Sequence, residues 1–216
     1  MGDAINSFRR LLYSRRMSYR QFMWGLSNGV LILTVAGGFW LGIIGSIVHR
    51  AEILGPVGIS GIVLLLWGFV CLRRKSAGFS LAEMKNGTEE QRSSLRQIRQ
   101  GFRWVMLIET VLCSVAVGSV EYFHRLDLIW PVLGIAVSLH FLPLGRLFRV
   151  KRYYFTGLAG MVVCLVAMVA FNAPANAVVA AAGMCLNMWG TAAWLLARSD
   201  QIAVRAIAES AAAAKA

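Results

Sequence analysis

Five polar residues stand where polar groups are costly. Glu109 lies within Leu107-Ile108-Glu109-Thr110-Val111, and His140 within Ser138-Leu139-His140-Phe141-Leu142-Pro143, each inside a long apolar run. A charged carboxylate at the centre of a bilayer-spanning helix costs about 2.5–3.5 kcal/mol on insertion scales, so such a group faces the bundle interior, paired, protonated or wet. A carboxyl beside an imidazole can bind a proton or a cation and release it again. Asn28, Asn187 and Thr191 are candidates to line the same site, and Asn187 and Thr191 share a helix face by their i, i+4 spacing. The competing reading is interhelical glue, hydrogen bonds that hold helices together without chemistry. One Glu and one His are too few ligands for a metal site. The sequence has no Ser-His-Asp pattern, phosphate loop, H-E-x-x-H or filter-like Gly run. It therefore names no catalytic residue, metal or cofactor. A membrane enzyme, the weakest of the three functional readings, would need a second carboxylate or metal ligand.

These residues must be positioned by six apolar stretches, at 22–48, 53–72, 103–120, 127–147, 153–172 and 175–197. A membrane-spanning helix needs roughly 20 mainly apolar residues. The 58% hydrophobic content exceeds that of soluble domains. The expected fold is an all-α, polytopic membrane protein, a six-transmembrane-helix bundle. Counted inward at about 1.5 Å per residue, Glu109 and His140 each lie roughly 10 Å from one membrane edge. Asn28 and Thr191 fall at comparable depth, and Asn187 lies one turn deeper. The expectation is one polar site in the cytoplasmic half, with Glu109 and His140 facing each other across the third and fourth spans. Pro143 is expected to kink the fourth span and free backbone carbonyls near His140.

Charge sets the orientation. Twenty of the 22 Lys and Arg lie in the N-terminal tail, the second and fourth connections and the C-terminal tail. The first connection has only Arg50, the third only Arg125, and the fifth none. By the positive-inside rule both termini are cytoplasmic. This placement explains the net charge of +12 without nucleic acid. The expected partners are the lipid bilayer and, along the basic rim, anionic lipid headgroups. The first apolar run is longer than a signal-peptide core and no Ala-x-Ala-like site follows it, so a cleaved signal peptide is not expected.

The chain reads as a single integral membrane domain over 1–216, with a basic interfacial tail at 1–21, a helical cytoplasmic connection at 73–102 and an Ala-rich cytoplasmic tail at 198–216. Residues 3–20 read either as an interfacial helix or as a disordered basic tail. Ser80 with Glu83 and Thr88 with Gln91 have capping-box spacing. One helix is expected from Glu89 through the third span to Val120, its first turns outside the membrane. That extension could bind a protein partner or a second copy, which would make the chain a scaffold or accessory subunit. Gly25 with Gly29, Gly38 with Gly42 and Ala177 with Ala181 have the small-xxx-small spacing of close helix contacts. The four Cys lie inside apolar runs and read as packing residues. His49, Arg50, Glu52, Glu121, His124, Arg125 and Asp127 read as solvated loop charge, with a cation site as the alternative.

The run His140-Phe141-Leu142-Pro143-Leu144-Gly145-Arg146-Leu147-Phe148, followed by Tyr153-Tyr154-Phe155-Thr156-Gly157, resembles a segment of small bacterial multi-pass membrane proteins of unknown function. The resemblance implies a multi-pass protein of the bacterial inner membrane and no activity. The functional expectation is a small transporter or channel-like protein with a cytoplasm-facing polar site.

Overall fold

The computed structural model describes residues 19–49, 51–77, 89–148 and 150–213. Among them every regular element is helical: α1 (Tyr19–Val48), α2 (Ala51–Lys75), α3 (Glu89–Tyr122), a 3-10 turn (Leu126–Leu128), α4 (Ile129–Phe148), α5 (Arg152–Ala170), α6 (Ala175–Ala197) and α7 (Ser199–Ala213). Six of these contain segments long and apolar enough to cross a membrane: Phe22–Val48, Leu54–Lys75, Gln100–Tyr122, Leu126–Phe148, Arg152–Ala170 and Ala175–Ala197. The chain is thus an all-helical, six-span bundle. The expected tail helix at 3–20 and the capping boxes at Ser80 and Thr88 lie outside the described residues.

The spans do not pack in sequence order. Across the bundle they run α2, α1, α6, α5, α4, α3, with α6 also touching α2 and α4. The first and last spans are therefore neighbours at the centre. Their buried positions recur every three or four residues, as one face of a helix must. On α1 these are Met23, Leu26, Val30, Leu33 and Trp40; on α6 they are Ala180, Met184, Met188, Ala192 and Leu195. In lipid this packing is driven by close van der Waals contact rather than by escape from water.

The tightest contact is a wedge. The Trp189 indole of α6 enters between α1 and α2, where a Cβ on either Gly37 or Gly61 would overlap its ring. Its Nε1–H donates to the Thr34 carbonyl at 3.1 Å, so no buried donor is left unmet. The small-residue pairs expected from the sequence fare unevenly. Ala177 and Ala181 are buried, whereas Gly25 and Gly42 have nothing close to them.

The two ends of the described chain meet on one face. The Tyr19 hydroxyl donates to Asp200 Oδ1 at 2.6 Å, and Lys75 Nζ donates to Asp200 Oδ2 at 2.7 Å. Asp200 thus joins the starts of α1 and α7 to the end of α2. The Lys75 ammonium and the Tyr19 hydroxyl hold its carboxyl below the usual carboxylate range. The same bond pushes the Tyr19 hydroxyl up to about 12. This end of the bundle also carries Arg74, Arg103, Arg146 and Lys151, and is called the basic face here. On the opposite face Arg125 forks onto both Asp127 oxygens at 3.1 Å. There α1 and α3 end on His49 and His124, both with left-handed backbone (φ 53° and 54°).

Candidate functional site

On α3 the residues turned toward α4 are Val105, Glu109, Leu112, Cys113, Ala116 and Val120, a stripe at helical spacing with Glu109 as its one ionisable carboxyl. On α4, His140 is buried among Ala136, Ser138 and Phe141. The two meet: His140 Nδ1 lies 3.5 Å from Glu109 Oε1. That distance is longer than a good N–H···O hydrogen bond, for which about 2.7–3.2 Å is usual. Accordingly Nδ1, although buried, has no hydrogen-bond partner. The imidazole side chain is 10% exposed and the glutamate side chain 24%, so the imidazole is the more enclosed of the two. The His140 ring also stacks on Phe141 at 4.5 Å. Pro143, one turn further on, stays inside α4, and its missing N–H leaves the Leu139 carbonyl without the usual helical donor.

Chemically this is an unfinished pair. The carboxyl oxygen and the imidazole nitrogen face each other just beyond hydrogen-bond distance. Closing the gap by a few tenths of an ångström would form a charge-assisted hydrogen bond.

The other three candidates lie elsewhere. Asn28 Oδ1 accepts a 3.0 Å hydrogen bond from Arg73 Nη2 across the α1–α2 contact. Arg73 in turn lies over the Trp24 and Phe69 rings, at 5.1 and 5.4 Å. Asn187 Nδ2 donates to the Thr156 carbonyl at 2.7 Å, and Thr191 shares a 2.7 Å hydroxyl contact with Thr156. The five residues expected to form one site thus form three groups: Glu109 with His140, Asn28 with Arg73, and Asn187 with Thr191. Matching depth alone does not bring residues together, because α1 and α6 are neighbours at the centre while α3 lies at the end of the row.

Thr156 is the residue that sequence reasoning missed. It hydrogen-bonds both Asn187 and Thr191, and its hydroxyl also donates to the Arg152 carbonyl one turn back. Its depth was a usable signal: it stands four residues inside the fifth span, as Thr191 stands six inside the sixth. A neighbouring contact, Ser138 Oγ to Met184 Sδ at 3.5 Å, lies beside Gly160, where a Cβ would strike the hydroxyl. On the far face, among the described residues, no group of three or more His, Cys, Asp or Glu is arranged to hold a metal ion.

No curated protein and no solved structure matches this sequence. Residues 34–203 match DUF6609, a family of unknown function, and that match spans most of the chain, from the middle of α1 into α7, so the chain belongs to that family.

Proposed function

We propose that this multi-pass membrane protein is a small transporter or channel-like protein that binds a proton or a small cation at Glu109. His140 is the partner that stabilises the carboxylate or takes over its proton. The observation that carries this reading is the incomplete contact between the two side chains, a buried imidazole nitrogen without a hydrogen bond facing a less enclosed carboxylate. An ionisable pair at membrane depth is expensive to keep unless it is used. The hydrogen bonds of Thr156 with Asn187 and Thr191 belong to the rival role, holding α5 to α6.

The charge pattern supports a cytoplasmic basic face, and the resemblance of the 140–157 segment to small bacterial multi-pass proteins supports a bacterial inner membrane. Reporter fusions after Glu52, Lys85, Arg125, Arg149, Asn172 and Ala216 test it. An external signal at Lys85 or Arg149 rejects the topology.

The functional test is flux. Purified protein in proteoliposomes with an internal pH dye should show proton or cation movement. Glu109→Gln should insert and fold normally yet lose the pH dependence of that movement. Wild-type behaviour in Glu109→Gln would leave the pair a purely structural joint.

A second reading has its own support. α3 begins at Glu89, eleven residues before its membrane span at Gln100, so three turns of helix project from the basic face. That projection suits a scaffold or accessory subunit with a protein partner, or a homo-oligomer. Co-purification of a stoichiometric partner that is lost on deleting 89–99 would favour it.

A further inference from the structure

We propose that Arg152, laid on the indole of Trp194 at the basic face, is a binding site for a phosphate oxyanion, and that its occupant is the headgroup of an anionic lipid. Arg152 is the first residue of the fifth span and Trp194 lies near the end of the sixth, so both stand at headgroup level. The guanidinium sits 5.7 Å over the indole, which fixes its plane. A guanidinium carries five N–H donors in a planar fork matched to carboxylate or phosphate. Here Nε is buried without a hydrogen-bond partner, and among the described residues no carboxylate lies within ion-pair distance. The side chain as a whole remains partly exposed at the rim.

Two comparisons within the molecule sharpen the assignment. Arg73 is mounted in the same way, on Trp24 at the end of α2, yet it has a protein acceptor in Asn28. Arg152 has the mounting without the acceptor. Among the described side chains, Asp200 is the one carboxylate on this face, and Lys75 and Tyr19 already occupy both of its oxygens. The exposed Arg146 and Lys151 flank Arg152 and add to the same positive field. No described side chain supplies the counter-charge, and at this depth the abundant oxyanion is a lipid phosphate.

The test compares thermal unfolding of the full chain in nanodiscs of phosphatidylcholine alone and of phosphatidylcholine with phosphatidylglycerol. Wild type should gain about 2–4 °C from phosphatidylglycerol, the size of one such contact in a chain of this length. R152Q should lose most of that gain; in phosphatidylcholine, whose phosphate charge is offset by its own choline, it should fall below wild type only by the lost Trp194 contact. R73Q should fall by the same amount in both membranes, because its partner is Asn28. No gain in wild type, or a full gain in R152Q, overturns the site. If R152Q does not fold, R152K replaces it: a reduced gain supports the planar fork, and an undiminished gain overturns it. Inorganic phosphate added to the phosphatidylcholine discs separates the sources. No effect supports the lipid, and a gain equal to that of phosphatidylglycerol overturns the lipid in favour of a free phosphate.

Discussion

The Trp189 wedge and the Glu109–His140 contact are both joints between helices, but they are closed by different means. At the wedge a rigid indole fills a notch left by Gly37 and Gly61, and its one polar atom is bonded to Thr34. At the α3–α4 seam two ionisable groups stop 3.5 Å apart, and the imidazole nitrogen is left unbonded. A joint closed by shape has one good arrangement, since close-packed interiors do not deform continuously. A joint between two polar side chains that stop short of a hydrogen bond is not fixed by shape in the same way. The centre of this bundle is therefore fixed by shape, whereas its α3 edge is held by a polar contact that stops short of a hydrogen bond.

The comparison breaks most readily at the wedge. Trp189 is partly buried, so Trp189→Ala should lower stability by about 3 kcal/mol, the low end for large-to-small changes at aromatics. Gly61→Leu should also destabilise, because the ring has nowhere to go. Wild-type unfolding in Trp189→Ala would show that something else closes α1 on α6. At the seam, Glu109→Ala or His140→Ala should each cost about 1–3 kcal/mol by stranding the partner. Glu109→Gln should cost less than either. A double-mutant cycle between positions 109 and 140 that shows no coupling in thermal unfolding would dissolve the pair.

Outside the membrane the effects are smaller. Asp200 is exposed, so Asp200→Asn should cost about 1 kcal/mol or less. Its carboxyl is held below the ordinary range, so the stability it contributes is full above the ordinary carboxylate pKa of about 4. That contribution is lost as pH falls through the lowered value. The wild-type advantage over Asp200→Asn should therefore be the same at pH 5 and pH 7 and shrink only below about pH 4. A loss already under way at pH 6 would point to another group. Tyr19 has the opposite sign, because its hydroxyl is raised to about 12. Its contribution is present below the ordinary tyrosine pKa of about 10 and is lost as pH rises through 12. Smallest of all, His49→Gly and His124→Gly should each stabilise, by about 1 kcal/mol or less, by relieving a left-handed backbone. A loss of stability in either would mean that the imidazole itself makes a contact that matters.

The spans were legible in the sequence because hydropathy is a sum over some twenty residues and needs no knowledge of neighbours. The start of α3 at Glu89 was legible too, from helix-favouring sequence running unbroken into a span. Which helices touch was not. The small-xxx-small rule marks positions that allow close approach, and several positions on α1 qualify. The one used, Gly37, is chosen by the tryptophan that arrives opposite it. A signal for that choice existed: Trp189 stands eight residues inside its span, too deep for an interfacial aromatic. The Glu109–His140 contact was legible because the third and fourth spans are joined by a short connection, which makes neighbours of matched residues. Asn28 was misjudged by the same depth argument, because no short connection ties α1 to α3.

The central place of α6 also has a consequence for how the protein is made. α1 and α2 leave the ribosome first, with the notch between Gly37 and Gly61 open and the Thr34 carbonyl waiting for a donor 155 residues away. Among the described residues, it is Trp189 that fills that notch. α1 and α2 must persist as an unfinished half until α6 has been made, which makes α6 the span that closes them. A chain truncated before α6 would leave the membrane with an exposed groove rather than a smaller bundle, a natural target for membrane proteases.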